Sequence, residues 1–251
     1  MTGFLRESGI VFKRQLRMNL RNPAWVIIGM LQPVLYLLLF GPLLEPVIGQ
    51  LGGNKYTWFV PGMLVQLGIF GAFFAGFSLI GEWREGVIEA ERVTPASRAA
   101  LLFGRLYRDL LQLFVQALIL VGLGLALGMD FHPAGIVLGV VLTILLGGAC
   151  AAASNAFALT VKSEDVMAPV INLVMMPVLL LSGILLPMSF GAAWLDRLAD
   201  FMPIRHVVDA VRGAFFGTYD ASTMGWGVGW TVVLFVAAVW WGVSVFRKEN
   251  A

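Results

Sequence analysis

The stretch Trp58–Ile80, WFVPGMLVQLGIFGAFFAGFSLI, carries no charged side chain, and the next residues, GEWREGVIEAERVTPASRAALLFGR over Gly81–Arg105, are the most polar part of the chain. About 20 consecutive apolar residues in a helix cross the ~30 Å hydrocarbon core of a bilayer. The first stretch therefore predicts a transmembrane helix. The second predicts a polar segment at the membrane surface, between two long apolar runs.

The composition of the whole chain indicates a membrane protein. Of its 251 residues, 59% are hydrophobic and 13% are charged, whereas about a quarter of the residues in soluble domains are charged. We therefore predict an all-α, polytopic membrane protein, a single transmembrane domain over residues 1–251 with six transmembrane helices, an N-terminal interfacial helix and an outer re-entrant helix pair. A net charge of +2 provides no basic patch for nucleic acid.

Six apolar stretches are long enough to span the bilayer. The first is longer than the apolar part of a signal peptide and no small-x-small cleavage motif follows it, so we expect it to stay in the mature protein. The six predicted spans are Ala24–Leu44, Trp58–Ile80, Leu106–Leu127, Ala134–Val161, Val166–Leu186 and Trp226–Phe246.

The positions of Lys and Arg predict the orientation. If both termini lie in the cytoplasm, the outer side carries few of the 17 basic residues, namely Lys55, Arg197, Arg205 and Arg212. Cytoplasmic loops carry an excess of Lys and Arg. We therefore expect both termini to be cytoplasmic.

Residues 1–23 mix apolar and basic side chains, Leu5, Phe12, Leu16 and Leu20 with Arg6, Lys13, Arg14 and Arg17. This pattern predicts a helix that lies in the headgroup plane, with Pro23 breaking it before the first span. The alternative is a disordered basic tail that only determines topology.

The polar segment has a helical period. Glu82, Glu85, Glu89 and Arg92 recur at i, i+3, i+7 and i+10, which places them on one face of a helix. Thr94 and Pro95 then form a cap and first-turn proline from which a new helix begins. We interpret residues 81–97 as a helix that docks on a soluble partner. The alternative is a solvated loop.

Three stretches resemble the permeases of type-two ATP-binding-cassette exporters, of the daunorubicin-exporter kind. EWREGVIEAERVTPASRAALLFGRL resembles the loop between their second and third spans, and LRNPAWVIIGMLQPVLYLLLFG resembles the start of their first span. LLSGILLPMSFGAAWLDRLADFMPIRHVVDAVRGAFFG resembles their closing signature. Met202-Pro203 departs from the family, in which Asn-Pro is frequent. The likeness covers essentially the whole chain.

The resemblance implies a separate ATPase subunit, which would hold ATP and Mg, with no cofactor or metal on this chain and no catalytic residue. The chain has no GxxxxGK[ST] loop to bind phosphates. The resemblance also implies a second permease copy or a related permease, and a bacterial plasma (inner) membrane. The residues implied to couple to the ATPase are Glu82, Arg84, Glu85, Gly86, Glu89 and Arg92.

Aromatic and methionine side chains on the second and fifth predicted spans fit an adaptable pocket for amphipathic compounds. The candidate residues of this path are Gln66, Phe70, Phe73, Phe74, Phe77, Asn172, Met175 and Met176. The alternative is that these side chains face lipid or pack between helices. For Ser154, Asn155, Gln112 and Gln116 we expect contacts between helices, because polar groups at membrane depth need partners.

The outer segment 187–217 contains two apolar stripes, one with Trp194 and one after Pro203, and each is too short to span. Arg205, Asp209 and Arg212 lie on one polar face, where their charges can pair. We therefore expect a re-entrant helix pair. His206 near Asp209 allows an acid–base site, but no nucleophile stands at motif spacing, so a structural histidine is the better interpretation.

Two functions remain open from the sequence. The first is a permease subunit that exports a lipophilic, drug-like compound, or alternatively a lipid-linked glycan or lipid. The second is a membrane-embedded lipid-modifying enzyme centred on the outer loop.

Overall fold

A computed structural model describes residues 2–21, 24–43, 54–92, 97–185, 188 and 192–248. The regular structure in these ranges is helical, without a strand, so the all-α prediction is confirmed. The helices are α1 (Thr2–Arg21), α2 (Ala24–Leu43), α3 (Lys55–Arg84), α4 (Val87–Arg92), α5 (Arg98–Ala126), α6 (Pro133–Val161), α7 (Glu164–Leu181), α8 (Ala193–Asp200), α9 (Pro203–Phe215) and α10 (Ala221–Lys248).

The predicted spans correspond to six of these helices. Among the described residues, α3, α5, α6, α7 and α10 are long and apolar enough to cross a membrane, and α2 contains a shorter apolar helix, Ile27–Leu43. The polytopic architecture is therefore confirmed. Leu44 and Leu186, the predicted ends of two spans, lie outside the described residues.

Several helix ends differ from the predicted span limits, and two of these differences have a local cause. α5 begins at Arg98, about two turns before the predicted start, because the Ser97 hydroxyl accepts from the Ala100 N–H at 3.3 Å and caps the helix. α7 ends at Leu181, and Gly183 follows with φ of +71°. A positive φ is tolerated by glycine and stops the helix there.

The centre of the fold is the crossing of α3 and α6, where small residues let the backbones approach. A Cβ atom on Gly68 would lie 3.2 Å from the Thr143 carbonyl oxygen. Further along, the Ser154 hydroxyl donates to the Phe73 carbonyl at 2.8 Å and accepts from the Gly76 N–H at 3.2 Å. Small residues at helix crossings are how membrane helices pack closely. The expected interhelical role of Ser154 is confirmed.

The chain reverses direction between successive long helices, so the bundle has two distinct ends. The last turn of α3, α4, the first turns of α5 and the α6–α7 turn lie at one end, together with Lys248. We call this the basic end. The helices α8 and α9 lie at the other, which we call the distal end.

Candidate functional site

The structure does not continue one helix through residues 81–97. α3 ends at Arg84, the backbone turns at Gly86 with φ of +73°, and α4 covers only Val87–Arg92. The predicted single face of four charged residues is therefore not formed, because the break changes the direction of the helix axis. Thr94 and Pro95 lie outside the described residues, as does the side chain of Arg92.

Glu82, predicted to touch a partner, points into the protein. It is 5% exposed, and its carboxylate accepts from Arg105 Nη2 at 2.7 Å and from Gln15 Nε2 at 2.7 Å. Arg105 is itself 2% exposed and donates to Glu91 Oε2 at 2.9 Å. One guanidinium on α5 thus joins a carboxylate at the end of α3 to a carboxylate on α4.

The same group of side chains also reaches α1. The Gln15 amide oxygen accepts from Arg108 Nη1 at 3.0 Å, and Arg108 pairs with Asp109 at 2.6 Å. Arg14 reaches Glu91 from the solvent side at 3.1 Å. We call the connected residues the ion-pair cluster: Gln15, Glu82, Glu91, Arg105, Arg108 and Asp109.

The burial of the cluster makes its pairing obligatory. A charge removed from water is costly unless opposite charges and hydrogen bonds satisfy it, and removal of one partner of a buried pair costs about 3–5 kcal/mol. The cluster therefore fixes α1, α3, α4 and α5 in one relative arrangement.

Three other predicted coupling residues, Arg84, Glu85 and Glu89, lie on the surface. Glu85, Glu89 and Ala90 are exposed, while Ile88 on the opposite side of α4 is 4% exposed and packs into the apolar core. Arg84 is also exposed and pairs with Glu164 at the start of α7, at 3.2 Å. The result is an acidic surface on a short helix whose other side is anchored.

The predicted path residues do not come together at one place. Gln66 and Met175 are 1% and 5% exposed and lie inside the bundle, and Phe70 and Phe73 pack against the same core. The remaining residues lie elsewhere: Phe77 packs against a second core nearer the basic end, and Phe74, Asn172 and Met176 are exposed.

Three buried polar side chains near the α3–α6 crossing lack partners among the described residues. They are both amide atoms of Gln66, the Thr143 hydroxyl and the Asn155 amide nitrogen. A buried polar group left without a hydrogen bond costs about 1–3 kcal/mol. A cavity of about 20 Å³, large enough for a water molecule, lies between α3, α5 and α6, and Asp109, Gln112 and Gln116 form the polar part of its lining.

The two short distal helices are held together by Arg205. Its guanidinium lies 2.7 Å from Asp196 and 3.0 Å from Asp200, both on α8, and 3.7 Å from Asp209 on α9. The Trp194 indole on α8 is 68% exposed. Pro203 is the first residue of α9, so the predicted break between two short helices is present. Residues 189–191 of the predicted outer segment lie outside the described ranges.

Arg212 joins α9 to the spans. It donates to the Gly183 carbonyl at 3.0 Å and to the Trp58 carbonyl at 3.3 Å, and its guanidinium carbon lies 4.0 Å from the centre of the Trp58 ring. Burial lowers the pKa of Arg212 to about 10, and burial raises the pKa of Asp209 despite the nearby Arg212 and Arg205. His206 contacts the Asp200 carbonyl at 3.0 Å, which fits a structural role.

Sequence reasoning missed the centre of the ion-pair cluster. Arg105 and Arg108 entered the prediction only among the basic residues expected on the cytoplasmic side, and Gln15 was not singled out within the predicted interfacial helix of residues 1–23. The signal in the sequence was the group Arg105, Arg108 and Asp109, which stands at the start of the apolar run of α5. Charges on a helix that is about to be buried require partners, and those partners lie on three other elements.

Known proteins that resemble this chain are described as transporters or transport permeases. A family model described as ABC-2 type transporter matches residues 6–216. The chain is 24% identical over 258 residues to the putative transport permease ycf38 of Cyanophora paradoxa, covering 98% of this chain and 89% of that protein. It is 28% identical over 239 residues to the daunorubicin resistance ABC transporter permease protein DrrB1 of Streptomyces coeruleorubidus, covering 91% of this chain and 82% of that protein.

Proposed function

The chain belongs to the ABC-2 type transporter family, and from this premise we propose that it is the permease subunit of an exporter that moves a lipophilic or amphipathic, drug-like compound out of the cell. A separate ATPase subunit supplies the energy by hydrolysing ATP with Mg. The daunorubicin resistance of one relative supports a drug-like substrate. A lipid or lipid-linked glycan is the alternative substrate.

One observation carries the proposal: α4 and the turn before it combine an exposed acidic surface with a buried connection to the spans. Glu85 and Glu89 face outward, while Glu91 bonds Arg105 at 2.9 Å. An ATPase cleft with basic residues would bind the first two. Closure of the ATPase would displace α4, and the Glu91–Arg105–Glu82 connection would carry that displacement to α3 and α5.

The unpartnered polar groups near the α3–α6 crossing support a transport path at that place. Gln66, Thr143 and Asn155 each have unused hydrogen-bonding capacity, and a compound passing between the helices could use it. Two copies of the chain, or this chain and a related permease, would enclose the path.

The basic end is the side on which we place the ATPase. Arg84, Lys162 and Lys248 lie there, and cytoplasmic segments of membrane proteins are rich in Lys and Arg. In this orientation both termini are cytoplasmic, in a bacterial plasma membrane, and α8 and α9 lie at the outer surface.

Co-expression with a P-loop ATPase encoded beside the gene tests the proposal. We expect the two proteins to copurify and the complex to hydrolyse ATP faster when daunorubicin-like compounds are added. Glu89→Lys should reduce copurification at least about tenfold, because a charge reversal at an interfacial pair costs about 2–5 kcal/mol.

Asp165→Lys is the matched control. Asp165 is also an exposed carboxylate at the basic end but lies on α7, so we expect normal assembly. Equal losses in both variants would remove the special role of α4. ATP hydrolysis by the isolated chain, free of any copurifying ATPase, would contradict the proposal that a separate subunit hydrolyses ATP.

A further inference from the structure

The N-terminal helix α1 has three distinct faces. Ser8, Val11 and Gln15 are buried and face the bundle, and residues three or four apart lie on the same side of a helix. The hydrogen bonds of Gln15 and of Asn19, which donates to Gln112 at 2.9 Å, fix the rotation of the helix about its axis. The remaining two faces therefore have defined directions.

The second face is apolar and the third is basic. Successive helical residues are about 100° apart, which places Leu5, Phe12, Leu16 and Leu20 along one flank. Leu5 and Leu20 are 63% and 73% exposed. Directly beside this flank, and away from the bundle, the side chains of Arg6, Lys13 and Arg17 are exposed. We call these three residues the basic flank.

The basic flank carries unneutralised charge. Arg14, one helical position away, pairs with Glu91 at 3.1 Å. No residue in the described part of the chain forms an ion pair with Arg6, Lys13 or Arg17. Their positions at i, i+7 and i+11 form a row along the helix. Such a row suits an array of separate anions better than one compact anion.

The position of α1 indicates which anion the basic flank meets. α1 ends at Arg21 and α2 begins at Ala24, so the end of α1 lies next to the start of the first predicted span, where the chain enters the membrane. An exposed apolar flank with a basic row beside it is the pattern of a helix that inserts its apolar side between lipids and holds its cations at headgroup level. We propose that the basic flank of α1 binds the phosphates of anionic phospholipids.

The proposed site recognises the negative charge of a lipid headgroup, whereas a general affinity for membranes would not depend on that charge. Arginine and lysine donate charge-assisted hydrogen bonds to phosphate oxygens, and phosphatidylcholine opposes them with its own cation while phosphatidylglycerol does not. Binding should therefore depend on headgroup charge and weaken with salt, since the Debye length falls from about 10 Å at 0.1 M to about 3 Å at 1 M. The proposal is independent of the exported substrate and of the ATPase.

The test uses the purified full chain, delipidated in detergent and titrated with phosphatidylglycerol or phosphatidylcholine, with bound lipids counted by native mass spectrometry. We expect a preference for phosphatidylglycerol that decreases at high salt. Lys13→Gln/Arg17→Gln should weaken phosphatidylglycerol binding about tenfold or more, on the scale of the usual contribution of each basic residue near an anionic surface.

The double variant Arg14→Gln/Arg84→Gln is the control. It removes the same charge from the same end of the bundle, but both arginines already pair with carboxylates, so binding should change less than twofold. The swap Lys13→Arg/Arg17→Lys keeps the charge and should bind normally, which separates loss of charge from misfolding.

Two outcomes would overturn the proposal. One is equal phosphatidylglycerol affinity for the wild type and the Lys13/Arg17 double variant. The other is no preference between the two lipids in the wild type, together with an acidic protein that copurifies with the wild type and is lost from the variant. In that case the basic flank binds a protein.

Discussion

Arg105 on α5 donates to Glu82 at the end of α3 across 2.7 Å, and both side chains are almost fully buried. Glu82 was predicted to be a surface contact and is instead an internal one. This changes which residues are free to meet a partner. Glu85 and Glu89 remain on the surface, whereas Glu82 and Glu91 connect that surface to the spans.

Replacement of Arg105 by Met should destabilise the protein strongly. The variant leaves Glu82 buried without its cation and leaves Glu91 paired with Arg14 on the solvent side. We expect a loss of about 3–5 kcal/mol, measured as a lower melting temperature of the purified chain in detergent. Arg84→Met removes an exposed ion pair and should cost about 1 kcal/mol or less. The triple variant Glu82→Gln/Glu91→Gln/Arg105→Met should recover most of the loss, because no unpaired charge remains. A triple variant no more stable than Arg105→Met would contradict the role of charge.

Gly86→Ala should disturb the turn between α3 and α4. The φ of +73° at Gly86 costs a residue with a Cβ atom about 1–2 kcal/mol. We expect weaker coupling to the ATPase, measured as ATP hydrolysis by the complex, together with a small loss of stability. Gly81→Ala, in the last turns of α3 with open space around its Cβ position, is the control and should leave both quantities unchanged. If both variants behave alike, the turn has no special role.

Ser154→Ala should loosen the crossing of α3 and α6. It removes the hydrogen bonds to the Phe73 carbonyl and the Gly76 N–H, and the expected loss is about 0.5–1.5 kcal/mol. Ser244→Ala, whose hydroxyl bonds only within α10 at an exposed position, should be neutral. Thermal unfolding of the two variants side by side distinguishes them, and a neutral Ser154→Ala would show that close packing alone holds the crossing.

Cysteine labelling tests the orientation. In a Cys150→Ala background, Ser97→Cys at the basic end and Arg197→Cys on α8 should react with a membrane-impermeant maleimide from opposite sides of sealed vesicles. Ser97 and Arg197 are both exposed, so access does not bias the comparison. Labelling of both cysteines from the same side would mean that the number or the orientation of the spans is wrong.

The spans could be predicted because apolar length is a local property. Trp58–Ile80 is recognisable from its own residues, and the structure contains it within α3. An interhelical contact of Ser154 was also predictable, since a polar group at membrane depth needs a partner; which helix supplies that partner was not.

The ion-pair cluster could not be predicted in the same way. Gln15 and Arg108 are far apart in the chain, so no local pattern connects them. The spacing of Glu82, Glu85 and Glu89 fits one continuous helix, and it fits two short helices separated by a turn equally well. The break depends on Gly86, for which the sequence allows either helix or turn. The path residues stay a prediction. Met175 and Met176 are adjacent, but Met175 faces the core and Met176 faces outward, a difference that composition alone does not reveal.

The sequence separation within the α1 contacts has a consequence for biosynthesis. Gln15 and Asn19 each find their partner 93 residues further along the chain. At a synthesis rate of about 5–20 residues per second, α1 waits on the order of ten seconds before α5 exists. In the first part of that interval, until Glu82 has been made 67 residues after Gln15, the ion-pair cluster offers α1 no partner. The N-terminal helix is thus among the first segments made, but its hydrogen bonds to α3 and α5 have to wait for residues made 67 to 93 positions later.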